Sequence, residues 1–217
     1  MGRMTETGAR LAVHGCAAAL IAIAAVSPGC GSSDDSDGDG GDSASDECYV
    51  AFAADFQNYK SWQHYHLDAP FALAPDGGMN LVHTSGPRDV YINRCPPAGA
   101  TEFPVGTIIV KEIALASLPP GSPPAVFAQV KRGCGYNSGG AAGWEWFDLL
   151  TEDNGGTPGT ATIIWNGLTP PASQSYGGDP TECNTCHSAM GADNDSIITS
   201  ALNLKDLASG MSQCKEP

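Results

Sequence analysis

The sequence predicts an α+β domain that is mainly β: an antiparallel sheet of about five strands, flanking helices and a C-terminal helical segment. Three observations carry this. Only 16% of the 217 residues are charged, while Gly and Pro number 27 and 16, a composition unsuited to a long-helix bundle or coiled coil. Short runs rich in Val, Ile, Thr and aromatics recur through the middle of the chain, each bounded by Gly, Pro or Asn. No helical pattern separates these runs, so the strands should pair antiparallel. The length suffices for one domain with a real core. The net charge of −14 argues against nucleic acid and against an electrostatic grip on anionic lipid.

The N-terminal stretch reads as an address. Arg3 and Arg10 precede an apolar run from Leu11 to Val26 that is too short for a comfortable membrane span. It ends Val26-Ser27-Pro28-Gly29-Cys30. A cysteine at that place, after Gly, resembles the lipidation box of bacterial lipoproteins, which implies a signal peptide over 1–29 and a lipid on Cys30. Ordinary cleavage would instead leave Cys30 a spare thiol. Residues 30–47 follow as a Gly/Ser/Asp linker whose seven acids from 31 onward repel one another and keep it extended. The domain proper, 48–217, holds 16 acids and 8 Lys/Arg, a net of −8. Export to the bacterial envelope, with the membrane touched only through the lipid, is the expected localisation. Gly31, rather than Asp, after Cys30 favours the outer membrane by the same resemblance.

From Ala51 to Trp62, Phe52, Phe56 and Tyr59 follow helical spacing, with Gln63 next in the series, which predicts one amphipathic helix. Pro70 and Pro75-Asp76-Gly77-Gly78 then force a loop. The predicted strands are Val90–Asn93, Thr107–Leu115, Val126–Lys131, Trp144–Leu150 and Ala161–Trp165. Pro96-Pro97-Ala98-Gly99 and Pro119–Pro124 lie between them, because proline cannot sit inside a ladder. Helix is predicted again over Cys183–His187 and Ser196–Leu207, with Asp193-Asn194-Asp195 as an N-cap cluster. The same three residues are too closely spaced for a full calcium loop.

Cys183-Asn184-Thr185-Cys186-His187 has the form of the covalent haem c motif. Cysteines at i and i+3 share one face of a helical turn and can add to the two haem vinyl groups. The adjacent His187 then supplies the proximal imidazole to iron. This makes the C-terminal segment the predicted haem-binding element, with one covalent haem. Rival readings are weaker. No βαβ pattern surrounds the pair as in a thioredoxin-like redox site, no second ligand pair completes a zinc site, and a Cys183–Cys186 disulfide would be strained. With Cys16 in the signal, Cys48, Cys95, Cys134 and Cys214 are left for two disulfides. Of the three pairings, Cys48–Cys95 with Cys134–Cys214 is the one expected.

A sixth iron ligand is not evident. Met190 lies on the same side of the haem as His187, Met211 is close in sequence and Met79 is remote. His64, His66 and His83 are candidates, with surface or structural roles as the plainer reading. Arg88 and Arg94 could face haem propionates. A haem motif near the C-terminus is similar to the cytochromes c′, whose sixth position is open, but those are four-helix bundles and the strand pattern here contradicts one.

Phe103-Pro104-Val105-Gly106-Thr107-Ile108-Ile109-Val110-Lys111-Glu112, Val126–Arg132, Gly143-Trp144-Glu145-Trp146-Phe147 and the haem motif, in that order, resemble the cytochrome P-460 family. Arg88-Asp89-Val90-Tyr91-Ile92-Asn93 and Ala192-Asp193-Asn194-Asp195 add to the resemblance, which covers about 80–205. It implies a mainly antiparallel β fold, one haem c and a five-coordinate iron under a proximal His. It also implies a small diatomic or nitrogenous ligand such as nitric oxide or hydroxylamine, a redox partner, and in many members a homodimer. Some members oxidise hydroxylamine with a Lys cross-linked to the haem, whereas the related cytochromes c′-β lack the cross-link and bind small gases. Lys111 is the residue to test for the link. A strand Lys can also face solvent or pair with Glu112. Glu145 is the candidate proton relay, and Phe127 and Phe147 could wall an apolar distal pocket or be ordinary sheet core. An electron carrier with six-coordinate haem is the other outcome.

Overall fold

The computed structural model describes residues 48–68, 87–114, 119–171, 182–209 and 214. The predicted signal, Cys30, the acidic linker, Met79, His83 and Met211 all lie outside the described residues, as does the Met190 side chain.

Six strands form one antiparallel sheet in chain order: β1 (Gln63–Leu67), β2 (Arg88–Ile92), β3 (Ile108–Ile113), β4 (Ala125–Lys131), β5 (Trp144–Thr151) and β6 (Ala161–Gly167). The five predicted runs become β2 to β6, so the expected count of about five is corrected to six. The additional strand, β1, lies at the sheet edge and pairs Gln63 with Ile92 and Leu67 with Arg88. The helix predicted just before it is also corrected. Two 3-10 turns, Ala53–Phe56 and Tyr59–Ser61, replace it. Asn58 between them is left-handed at φ 57°, which a continuous right-handed helix cannot accommodate. The apolar spacing still has its consequence, because Phe56 and Tyr59 are both buried.

Side chains alternate across a strand, so register decides which residues share a face. On one face Tyr91, Val110, Ala128, Phe147 and Leu149 pack with Phe56 and Tyr59. On the other, Val90, Ile92, Ile109, Trp144 and Trp146 pack with Cys183, Ile197, Leu202, Leu204 and Leu207 from the C-terminal segment. Burial on both faces explains why β3 reads as a nearly unbroken apolar run.

The C-terminal segment contains α1 (Glu182–Met190), 3-10 turns at Ala192–Asn194 and Ser200–Leu202, and α2 (Leu204–Leu207). The continuous helix predicted over Ser196–Leu207 is broken, because Ser196 is left-handed at φ 63° and Thr199 and Asn203 are extended at ψ 127° and 116°. Asp193–Asp195 is therefore not a helix cap. Asn203 caps α2, accepting from the Asp206 amide at 3.2 Å. Among the described residues no helix is long and apolar enough to cross a membrane.

Both disulfides are present, but with different partners from those expected. Cys48 bonds Cys134 (Cα–Cα 5.3 Å) and Cys95 bonds Cys214 (5.9 Å). Backbone pairing explains the exchange. The Tyr49 amide donates to Arg132 O at 2.9 Å, laying the start of the domain beside residues 132–134. The Gly99 amide donates to Ala208 O at 2.9 Å, laying the loop after β2 beside the C-terminal segment.

Candidate functional site

The second face of the sheet and the C-terminal segment enclose a cleft. Arg88, Val90, Ile109 and Lys111 line it from β2 and β3, and Phe127, Gln129 and Trp146 continue the wall across β4 and β5. Cys183, Cys186, His187 and Ile197 form the opposite side. The cleft opens to solvent, and with its mouth included it takes in about 890 Å³.

Cys183 and Cys186 fall on one face of α1, as i, i+3 spacing requires. Both are buried and neither belongs to a disulfide. His187 follows on the same cleft. Its Nδ1 lies 2.7 Å from Ser196 O. A carbonyl only accepts, so Nδ1 carries the proton and Nε2 keeps the lone pair. Burial pushes the His187 pKa down to about 4, and the Lys111 charge adds to this against the Ser196 bond. The ring is therefore neutral at physiological pH, the form that binds metal, and it packs 4.5 Å from the Trp146 ring. A buried thiol pair, a neutral imidazole of fixed tautomer and an apolar wall are donors and surroundings that suit a covalent haem. Among the described residues no three or more His, Cys, Asp or Glu are grouped to hold a bare metal ion.

The sheet wall sorts the other candidates by face. Lys111 faces the cleft, with Nζ 5.7 Å from the Phe127 ring centroid. Burial, then the Arg88 charge, push its pKa down to about 8. The alternative pairing with Glu112 fails, because Glu112 points to the other face. There it accepts from the Tyr59 hydroxyl and lies 3.4 Å from Lys60 Nζ. Arg88 lines the cleft, and burial lowers its pKa. Arg94 instead donates to Val105 O at 3.1 Å, outside the cleft lining.

Glu145 is corrected as a relay. It lies on the far face, 3.0 Å from Arg132 Nη1 and accepting from Asn166 Nδ2 at 2.8 Å. The β5 acid on the cleft side is Asp148, opposite Phe127 and Trp165, and burial raises its pKa. Phe127 lines the cleft. Phe147 borders it, but its ring packs 5.1 Å from Phe56 in the far core. His64 and His66 sit on the far face of β1, both bonded to Asp89 Oδ1 at 2.7 and 2.8 Å, which removes them as iron ligands.

Sequence reasoning missed the residues that hold the motif in place. Asn184, between the two cysteines, accepts from Ala141 N at 2.9 Å and Asn137 Nδ2 at 2.7 Å. Asn194 donates to Ile197 O and Leu202 O and accepts from Leu204 N. Asp195 accepts from Lys131 Nζ at 2.7 Å and from Phe103 N at 2.8 Å. The one signal for them in the sequence is a polar residue inside an otherwise apolar-facing segment.

No family model matches the chain, and no curated protein or solved structure does either.

Proposed function

We propose that 48–217 is a mono-haem domain in which Cys183 and Cys186 carry one haem c as thioethers and His187 ligates its iron. One observation carries the reading: all three motif residues line a single apolar cleft, and His187 has its Nδ1 committed to Ser196 O. Bound there, haem iron would supply one-electron redox chemistry and a coordination site for a small ligand. His64 and His66 are held by Asp89 on the other face of the sheet, which favours a five-coordinate iron over a six-coordinate carrier. The phenyl and indole surfaces of Phe127 and Trp146 suit a small neutral ligand such as nitric oxide or hydroxylamine.

Lys111 gives the hydroxylamine-oxidising, cross-linked reading its own support. Its amine faces the same cleft and is held closer to neutral than an ordinary lysine, and the neutral amine is the nucleophilic form. The two disulfides favour an oxidising compartment and so an exported protein, anchored in our reading through Cys30.

Expression in a host with covalent haem attachment tests the proposal. Haem staining on a denaturing gel should be positive for the wild type and negative for the Cys183→Ala/Cys186→Ala variant. A wild type without stain refutes it. The optical spectrum should be high-spin and respond to nitric oxide. A strongly red-shifted reduced Soret band that disappears in Lys111→Ala would establish the cross-link, and a low-spin, unresponsive spectrum would establish the carrier.

A further inference from the structure

We infer that Lys131 and Asp195 form a latch that holds the Ser196 carbonyl on His187, making both positioning residues for the axial ligand. The inference rests on the haem reading above. Lys131 ends β4 on the cleft side of the sheet and is 4% exposed. Its Nζ lies 2.7 and 2.9 Å from the two Asp195 oxygens, 3.3 Å from Glu102 and 3.2 Å from Ala142 O. It also sits 5.4 Å from the Trp144 ring centroid. Two further donors converge on Asp195: Phe103 N reaches its Oδ2 at 2.8 Å, and Trp144 Nε1 reaches its carbonyl at 2.7 Å.

The loop needs such a hold. Asp195 and Ser196 are consecutive left-handed residues with side chains, a conformation that relaxes unless its surroundings impose it. Turned this way, the loop folds back on α1. Ser196 N donates to Gly191 O at 2.7 Å, and Ser196 O meets His187 Nδ1 at 2.7 Å. Gly191 makes the close return practicable, since a Cβ there would come within 2.8 Å of His187 O. The carbonyl that fixes the His187 tautomer thus belongs to the residue after the latched aspartate. A weaker Nδ1–H···O bond makes the imidazole a poorer donor to iron.

The test compares wild type, Asp195→Asn, Lys131→Met and Lys131→Arg as full-length, haem-loaded proteins. Resonance Raman of the reduced protein reads the iron–histidine stretch, and a redox titration reads the midpoint potential. Asp195→Asn and Lys131→Met should keep covalent haem, lower the stretch and raise the potential, while Lys131→Arg stays nearer wild type. An unchanged stretch and potential in both disruptive variants overturns the latch. If Asp195→Asn yields no folded chain, Asp195→Glu takes its place, with a shift of the same sign expected and an unchanged stretch overturning the latch. A wild type without haem refutes the haem reading alone. The latch is then read from imidazole ¹⁵N shifts, where a single Nδ1–H tautomer should become a mixture in Asp195→Asn. The same tautomer in both proteins overturns it.

Discussion

Asn184→Ala is expected to loosen α1 from the sheet. In the wild type the Asn184 amide oxygen is the acceptor for Ala141 N and for one donor of Asn137. Asn137 Nδ2 also contacts Ala141 O and Trp144 O at 2.9 and 3.1 Å, so it loses little. Ala141 is fully buried, and its amide is left without this acceptor. An orphaned buried donor costs about 1–3 kcal/mol. The better helix propensity of Ala returns about 0.7 kcal/mol, which leaves a net loss of about 0.3–2.3 kcal/mol. Urea unfolding at unchanged m reads this directly, and the yield of haem-stained protein should fall with it. Asn184→Asp keeps an acceptor oxygen and should stay near wild type. Gly140→Ala attacks the same contact from the other side, because its Cβ would overlap the Asn184 amide. The reasoning fails if Asn184→Ala is as stable as wild type or more so. It fails equally if Asn184→Asp falls as far as the alanine variant.

Lys111 is charged below pH 8 at a cost: the drop from 10.5 to about 8 is worth at most about 3 kcal/mol. Because its folded pKa is depressed, wild-type stability should rise from pH 8 to 10.5, and Lys111→Met, more stable at pH 7, should show no such rise in urea titrations. Removing the Cys95–Cys214 bridge, a separation of 119 residues, should cost about 5 kcal/mol by loop entropy, and removing Cys48–Cys134, a separation of 86, slightly less. A non-reducing peptide map that joined Cys48 to Cys95 would contradict both assignments. Glu145→Gln should lower the unfolding midpoint, through lost pairing with Arg132, while leaving the haem spectrum and nitric oxide response at wild-type values. Hydrogen bonds that His66 donates to Asp89 and Asp68 raise its pKa, so that contribution is lost as pH rises through it. Burial opposes the effect at Asp89, yet bonds to His66 and His64 hold its carboxyl low, a contribution lost as pH falls through the depressed value. Amide exchange in β1 should therefore be slowest between these limits, and Asp89→Asn should flatten the profile.

The strands were legible because period-two burial and Pro/Gly punctuation are local signals. All five predicted runs lie in the sheet, within two residues at most ends. β1 was not legible: Gln63-His-Tyr-His-Leu67 carries little β-branched character, and the aromatic spacing before it fits a helix until Asn58 breaks it. That Cys183, Cys186 and His187 lie together could be read, because they are contiguous, and the strand assignments placed Lys111 and Phe127 on the neighbouring sheet. What sequence could not give was the assignment of faces. One residue of register separates Glu145, which points away from the cleft, from the cleft side of β5, where Asp148 lies. The disulfide partners depended in the same way on contacts 86 and 119 residues apart.

The two sides of the cleft are held by different physics. The wall is a sheet with apolar packing on both faces, so Lys111, Phe127 and Trp146 are fixed by ladder and core together. The facing segment has no comparable scaffold: α1 spans nine residues and α2 four. Neither approaches the length at which a helix is stable by itself. Three polar side chains supply what a longer apolar helix face would otherwise provide. Asn184 ties α1 to the loop before β5, Asn194 joins three backbone groups between Ile197 and Leu204, and Asp195 meets Lys131. Each of these ties lies within eleven residues of Cys183, Cys186 or His187. A covalent haem needs its attachment helix docked to one depth and its axial imidazole to one orientation. Directional hydrogen bonds set both, whereas apolar contacts alone would allow the short helix to slide. On the proposed haem reading, that need accounts for the polar side chains inside a segment that otherwise buries Leu202, Leu204 and Leu207.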